Sequence, residues 1–194
     1  MDRRTFLRSL AVAGLGAVVP ALPAMGDESI PLYFPQDPEV TRFSSSFGYV
    51  KPDGRVHKGN DLHAPKHSPV YAAADGVVTR LGVGVLAGYY AVIAHGGGWE
   101  TFYVHLNNDR RRGDDRRGHE LAYAEGIERG VFVAAGQQIG FVGNSGNAEG
   151  TSPHTHFELH RDGRAIDPYP ALVSAFRRVR EARSLGDVPL VPFD

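Results

Sequence analysis

The chain has 194 residues, a formal net charge of −1 at pH 7 and no cysteine, and this length is enough for one domain with its own apolar core. The absence of cysteine excludes disulfide bonds, a thiol nucleophile, a lipid anchored on cysteine and any cysteine-ligated metal. The near-neutral charge argues against a nucleic-acid partner, because proteins that bind nucleic acids usually carry a basic stripe or patch.

The N-terminal residues have the pattern of an export signal. Residues 2–8 are basic and include Arg3 and Arg4, and an apolar run at 10–19 is followed by small residues. This order is typical of a cleavable signal, and the paired arginines resemble the twin-arginine type. The apolar run is shorter than the about 20 residues of a membrane span. We therefore predict a cleavable twin-arginine-type export signal over residues 1–26, which places the mature chain in the periplasm or cell wall without a membrane segment.

Residues 27–42 are predicted to be a lead-in segment with little structure of its own, so that the folded domain starts at Phe43. Shortly after this start, His57 and Asp61 supply an imidazole and a carboxylate within five residues. Gly59 lies between them and lets the backbone turn tightly without a side chain in the way. This pair is a first candidate for metal binding.

Seven short segments, rich in branched and aromatic residues and separated by glycines, predict β-strands. They are Val70–Ala73, Val77–Leu81, Tyr89–Ala94, Thr101–His105, Val131–Val133, Gln138–Val142 and His154–His160. We therefore predict an all-β core.

Residues 107–126 interrupt this series of strands. They contain five arginines and five acidic residues and have no apolar period. Loops longer than about 12 to 15 residues without structure of their own are usually functional or disordered. We interpret the segment as an exposed loop, and we favour a solvated loop over one that grips a substrate.

The last predicted strand begins with the pair His154 and His156. Side chains alternate between the faces of a strand, so both imidazoles project from the same side. Together with His57 and Asp61 they provide nitrogen and carboxylate donors, and three such ligands with a fourth position left to water are typical of hydrolytic zinc rather than structural zinc. The spacing alone leaves open which member of the pair is the ligand.

One helix is predicted near the C-terminus, over residues 170–183. Leu172, Val173, Phe176 and Val179 fall on one face of this helix, with arginines opposite. We expect that face to pack over the outside of the sheet.

Three motifs occur in a fixed order: His57-x-x-x-Asp61, Tyr103-x-His105-Leu106 and Pro153-His154-x-His156-Phe157-Glu158. In this order they resemble the lysostaphin-type, or LytM-like, zinc endopeptidases. The resemblance spans roughly residues 43–170. It includes Phe47-Gly48-Tyr49, Ala64-Pro65, the segment 69–76, His95-Gly96 and the segment 135–140.

The resemblance implies the roles of five residues. Carried over to this sequence, His57, Asp61 and His156 hold one Zn²⁺, and His105 and His154 are catalytic histidines beside the metal. Members of the family cut amide bonds in the peptide crosslinks of peptidoglycan, so peptidoglycan is the implied partner. The bond itself stays open between a glycine-rich bridge and a D-alanyl to diamino-acid crosslink.

The resemblance also implies the fold, a single β-sandwich or barrel-like domain of the duplicated hybrid motif type over 43–170. A C-terminal helix and tail follow at 171–194, and residues 107–126 become an inserted loop. The chain departs from the family pattern in a second place as well. Members often carry an arginine soon after the Phe-Gly turn, where this chain has Val50 and Lys51, which puts a substrate contact there in doubt.

The remaining polar residues of the motifs have weaker interpretations. His160 is about 13 Å from His156 along a strand, too far to share the metal, and is expected to line the groove or face solvent. His63 follows Asp61 by two residues and stays an alternative ligand. Glu158 either orients a ligating histidine or is a solvated strand residue. Surface turns are expected for three others, His67, His95 and His119.

Two other classes of function are alternatives. A catalytically silent relative that binds the cell wall or activates a wall amidase is expected to lack some zinc residues, whereas this chain keeps all five positions. A carrier module is suggested by the segment 133–140, which resembles the hairpins of biotinyl and lipoyl domains. Those domains need a lysine at the turn, and the sequence from Val131 to His160 contains none.

Overall fold

The computed structural model describes residues 29–110, 116 and 119–186. The predicted export signal lies outside these residues, as do part of the segment 107–126 and the end of the C-terminal tail. The described strands and helix are β1 (Asn60–His63), β2 (Pro69–Tyr71), β3 (Gly76–Gly84), β4 (Gly88–Gly96), β5 (Trp99–Leu106), β6 (Phe132–Val133), β7 (Gln138–Phe141), β8 (His154–Arg161), β9 (Arg164–Ile166) and α1 (Tyr169–Ser184). Short 3₁₀ turns occur at His119–Leu121 and Gly146–Ala148.

Seven of the strands form one antiparallel sheet. Its order is β1-β8-β5-β4-β3-β6, and β9 also pairs with β8. One edge of β8 pairs with β5, while β1 and β9 share its other edge, with β1 along the first half and β9 along the second. The strands β2 and β7 form a separate two-stranded sheet. Consequently the three strands that carry Asp61, the His154/His156 pair and His105 lie side by side.

The core consists of large apolar side chains from both sheets and from the segments around them. Among the described residues, Phe34, Leu62, Tyr103, Ile139 and Phe157 are completely buried. Burial of such side chains contributes about 1.5–3 kcal/mol each to folding, which is how a chain without disulfides is held together. The predicted all-β domain with one C-terminal helix is confirmed.

Residues 29–41 contain no helix or strand, yet they belong to the core. Phe34 is completely buried, and its ring lies 5.1 Å from that of Phe176 in α1. Arg178 of the helix donates a hydrogen bond of 2.8 Å to the Leu32 carbonyl. Gln36 donates one of 2.9 Å to Thr155 Oγ1 in β8. The segment therefore connects the helix to the strand that carries the candidate site.

The observed elements include two strands that the sequence pattern did not indicate. All seven predicted strand segments overlap an observed strand, whereas β1 and β9 have only four and three residues and lack a run of branched and aromatic residues. The helix extends one residue beyond its predicted range at each end, and it buries Leu172, Ala175 and Val179. The described residues contain no helix with the length and apolar character needed to cross a bilayer.

The prediction of a surface turn at His95 is wrong. This residue lies in β4 with only 3% of its surface exposed. Its Nδ1 lies 2.9 Å from the Asp75 carbonyl and its Nε2 2.7 Å from Thr101 Oγ1. The Asp75 carbonyl and the Thr101 hydroxyl thus provide partners for both ring nitrogens. The glycines that follow His95 had suggested an exposed turn.

The described ends of the segment 107–126 are more buried than the predicted exposed loop. Asn107 and Asp109 are fully buried, and Lys66 Nζ forms an ion pair of 2.7 Å with Asp109 Oδ2. At the other end Ala122 is buried, and the Tyr123 hydroxyl donates to the Gly82 carbonyl at 3.0 Å. The loop is thus fastened to the domain at both ends by groups that only the tertiary structure brings together.

Candidate metal centre and catalytic site

The register of neighbouring strands assembles the site. Asp61 in β1 is the direct cross-strand partner of His156 in β8, and His63 is that of His154. On the other edge of β8, Val104 pairs with His156, so His105 follows immediately at the end of β5. Residues far apart in the sequence are therefore held on adjacent strands at one end of the sheet.

His57 reaches the same place from outside the sheet. It ends an irregular hairpin in which Val50 pairs with Val56. The His57 N–H donates to the Tyr49 carbonyl at 2.8 Å, and the His57 carbonyl accepts from the Gly48 N–H at 2.8 Å. Gly48 has a φ of +80°, a conformation that glycine adopts without steric cost.

Three donor atoms converge on one point. His57 Nε2 lies 3.1 Å from Asp61 Oδ1 and 2.9 Å from His156 Nδ1, and His156 Nδ1 lies 2.8 Å from Asp61 Oδ1. Atoms this close can all reach a single ion at the zinc–nitrogen and zinc–oxygen distances of about 2.0–2.2 Å. The two imidazoles and the carboxylate are the kind of donor set that zinc accepts, so these residues fit the metal.

Hydrogen bonds on the far side of each ring support this fit. His57 Nδ1 lies 2.9 Å from the Ser46 carbonyl, and His156 Nε2 lies 2.9 Å from Glu158 Oε1. Because both partners are acceptors, these nitrogens carry the ring protons. When both rings are neutral, His57 Nε2 and His156 Nδ1 each carry a lone pair, and these lone pairs face each other beside the Asp61 carboxylate. A cation suits this arrangement, since it attracts all three groups at once.

His105 and His154 stand beside this centre and outside the group of three donors. Their ring centroids are 5.1 Å apart, and His154 Nε2 lies 4.0 Å from Asp61 Oδ1. Each Nδ1 donates to a backbone carbonyl at 2.8 Å, that of Ser145 for His105 and that of Ser152 for His154. Both Nε2 atoms are therefore left without a proton and able to accept one.

Burial keeps these two histidines neutral. It lowers the pKa of His105 to about 4, with a smaller contribution from the neighbouring imidazoles of His154 and His156. Burial likewise lowers the pKa of His154 below its ordinary value, against the opposing effect of the Ser152 carbonyl. At neutral pH both rings are consequently in the form that a general base requires.

The two carboxyl groups at the site, those of Asp61 and Glu158, are charged at neutral pH, in contrast to these histidines. Burial alone would raise the pKa of Asp61, but the imidazoles of His156 and His57 beside it outweigh that effect and hold the pKa well below the usual range. For the same reasons hydrogen bonds from His156 and His160 bring the pKa of Glu158 down to about 2. Both groups are carboxylates at neutral pH, as metal binding and imidazole orientation need.

His105 also has a rare backbone conformation, with a φ of +63°. Few non-glycine residues adopt positive φ, and those that do are often found at functional sites. The conformation is held by the His105 N–H, which donates to the Ala87 carbonyl at 3.0 Å.

Glu158 connects the centre to a further histidine. Its Oε1 accepts from His156 and its Oε2 from His160, at 2.9 Å and 2.5 Å. The His160 ring stacks on Phe102 with centroids 4.2 Å apart. Of the two interpretations of Glu158, the orienting one agrees with these contacts. His160 lines a cavity and lies outside the donor group, as expected.

We expect Glu158→Ala to weaken zinc binding by about 10- to 100-fold, because partners of this kind orient a ligating imidazole and increase its basicity. Glu158→Gln keeps an acceptor without the charge and should fall between the wild type and Glu158→Ala. Competition with a chromophoric chelator measures the affinity, with the exposed Glu128→Gln as the control. An unchanged affinity in Glu158→Ala would show that Glu158 does not act through His156.

Two cavities border the site. The smaller, of about 320 Å³, is lined by Arg42, Phe43, Ser44, Ser46, Asp61 and His63. The larger, of about 740 Å³, includes His57, His105 and His156 in its wall. A chain-like substrate that crosses from one cavity to the other would pass the converging donors. His63 thus borders the site, although its nitrogens are not part of the converging group.

The backbone carbonyls of Ser46, Ser145 and Ser152 are functional groups that sequence reasoning missed. They accept the ring protons of His57, His105 and His154. No sequence signal could have found them, because every residue has a carbonyl and only the fold decides which one faces a ring.

Comparison with known proteins points to one family. The model of Peptidase family M23 matches residues 55–168. The DD-carboxypeptidase/endopeptidase Mpg of Neisseria meningitidis serogroup B is 38% identical over 132 residues, 66% of this chain and 26% of Mpg. The peptidoglycan DD-endopeptidase ShyA of Vibrio cholerae serotype O1 is 35% identical over 115 residues, 59% of this chain and 23% of ShyA. The chain thus spans about a quarter of the length of these relatives.

A solved structure agrees with these matches. The crystal structure of a zinc-containing peptidase from Vibrio cholerae superimposes with a TM-score of 0.57 and 30% identity, covering 74% of this chain and 40% of that one. The matched region of the family model contains all five candidate site residues.

Proposed function

Because the chain belongs to peptidase family M23, we propose that it is a zinc metalloendopeptidase that hydrolyses amide bonds in the peptide crosslinks of peptidoglycan. One observation carries this proposal, the convergence of His57, Asp61 and His156 beside two neutral histidines. The substrate class is supported by relatives such as ShyA, whose name identifies it as a peptidoglycan DD-endopeptidase.

The metal would be held by His57 Nε2, Asp61 Oδ1 and His156 Nδ1. When bound there, zinc supplies Lewis-acid chemistry, since it lowers the pKa of a water molecule to about 7 and polarises a carbonyl group. The protein orients both ligating rings through Ser46 and Glu158.

His105 and His154 would carry the proton transfers. A neutral Nε2 accepts the proton of the attacking water, and the same nitrogen, once protonated, donates it to the leaving amine. While protonated, that imidazole also stabilises the negative charge that develops on the carbonyl oxygen. Their hydrogen bonds to Ser145 and Ser152 keep Nε2 turned to the site during both steps.

We further propose that this reaction takes place outside the cytoplasm, in the periplasm or the cell wall. The support is the basic and apolar pattern of residues 1–26 and the location of the polymer itself. The alternative, a silent wall-binding protein or amidase activator, has less support because all five site positions are occupied by the expected residues.

Digestion of purified peptidoglycan by the mature chain tests the proposal. We expect soluble peptide fragments in the presence of zinc and none after treatment with a chelator, because the Lewis acid is then absent. Adding zinc back should restore release, and mass spectrometry of the fragments identifies the bond. Zinc-loaded protein that binds peptidoglycan without cutting it would instead support the wall-binding or activator function.

A further inference from the structure

The larger cavity beside the candidate metal centre has an excess of positive charge. Its wall includes four cations, Lys51, Arg55, Lys58 and Arg80, and one carboxylate, Glu158. That carboxylate is already engaged by two imidazoles. The proton transfers proposed above use none of the four cations.

Two of the cations are paired with carboxylates. Arg55 Nη2 lies 2.6 Å from Asp53 Oδ2, and Arg80 Nη2 lies 3.1 Å from Glu100 Oε1. By contrast, the ammonium groups of Lys51 and Lys58 form no ion pair or hydrogen bond with any residue that the structure describes. Lys51 acts at longer range on Asp53, whose carboxylate is already paired with Arg55. Both ammonium groups are available to a ligand.

Both lysines line the same cavity as the histidines of the candidate centre. Lys51 is part of the hairpin that ends in His57, where its N–H donates to the Arg55 carbonyl at 2.8 Å. Lys58 follows His57 directly, so their Cα atoms are about 3.8 Å apart. A peptide that occupies this cavity can therefore contact the two lysines and the candidate centre at once.

Apolar side chains complete the wall of the cavity. Val56 and Leu86 line it and are 54% and 52% exposed, and Tyr90 and Phe102 line it as well. Exposed apolar groups next to unpaired cations match a peptide segment with small apolar side chains and one anionic group. An uncharged ligand would leave both lysines without a partner.

We propose that this cavity binds a peptide that carries a free carboxylate beside the amide to be cleaved, and that Lys51 and Lys58 recognise this carboxylate. The proposal rests on the proposed function and narrows its substrate class. Crosslinks in which the diamino acid keeps its free carboxylate are preferred, whereas the same crosslink as a carboxamide, or an uncharged glycine bridge, lacks the recognised group.

Binding of two matched peptides tests the proposal. One is a crosslinked peptide with the free carboxylate, and the other is identical except for a carboxamide at that position. Titration calorimetry is performed with zinc-loaded full-length protein carrying His105→Ala, so that slow turnover does not disturb the measurement. Charge-assisted hydrogen bonds at exposed positions lead us to expect about tenfold tighter binding of the carboxylate form. This preference should shrink at about 1 M salt, where the Debye length is about 3 Å.

The double substitution Lys51→Gln and Lys58→Gln is expected to abolish the preference and leave binding of the carboxamide unchanged. The matched control removes the same charge from exposed arginines outside the cavity, by Arg129→Gln and Arg177→Gln, and should keep the preference. Equal binding of both peptides to the starting protein, or a preference that survives the lysine substitutions, would overturn the proposal. Failure of the proposed function is recognised separately, as an absence of cleavage by wild-type protein, and leaves the binding result interpretable.

Discussion

Replacing His105 or His154 by alanine should abolish turnover while the protein still binds one zinc ion. No ring nitrogen of His105 or His154 belongs to the converging donor group, so the metal site stays complete in both variants. What is lost is a proton acceptor, and positioned acid–base groups typically contribute 10²- to 10⁴-fold to a rate. We therefore expect kcat to fall by at least about 10²-fold in either variant.

This result is measured by fragment release from peptidoglycan together with elemental analysis of the same samples. His67→Ala is a suitable control, because it removes a half-buried imidazole that lines neither cavity, and it should retain activity. A variant of His105 or His154 with full activity would remove that residue from the proposed mechanism. Loss of zinc from either variant would instead identify the replaced histidine as a zinc ligand.

The second large effect is expected for His156→Ala, which should lose metal and activity together. His156 supplies Nδ1 to the donor group and receives its orientation from Glu158. With only His57 and Asp61 left, the affinity for zinc should fall by more than the about 10- to 100-fold expected for an orienting partner. Elemental analysis after dialysis should find about one zinc in the wild type and almost none in the variant.

Adding zinc back separates loss of the ligand from loss of the fold. Chelator-treated wild-type protein should recover its activity, whereas His156→Ala should not recover at concentrations that saturate the wild type. Circular dichroism of both proteins checks that β8 and the sheet are retained. A variant that keeps its zinc would show that His154 or His63 takes the place of His156.

The sequence was sufficient for the fold class and the family, because both depend on local patterns. Short runs of branched and aromatic residues between glycines, such as Tyr89–Ala94, indicate strands. The 3.6-residue period over 170–183 reflects one buried face of a helix. The three histidine motifs contain the residues of one site in order, and the family they indicated is confirmed by the match over residues 55–168.

Only the tertiary structure decided how the histidines differ from one another. Spacing places His154 and His156 on one face, but the register with β1 sets His156 opposite Asp61. Packing against segments that are distant in the sequence buries His105, and this burial lowers its pKa to about 4. The same kind of packing buries His95, which the sequence context had placed at the surface. The Ser145 carbonyl orients the His105 ring, and the Glu158 carboxylate orients the His156 ring.

The same division holds for the charges around the site. From sequence, Lys51 stood out only as a departure from the family pattern, and Lys58 had no assigned role. The structure pairs Arg55 and Arg80 with carboxylates and leaves these two lysines facing the cavity. Sequence determines which chemical groups are present and which face of a strand or helix they occupy. Distance, burial and pairing depend on contacts between segments far apart in the chain, so they are decided only when the sheet is assembled.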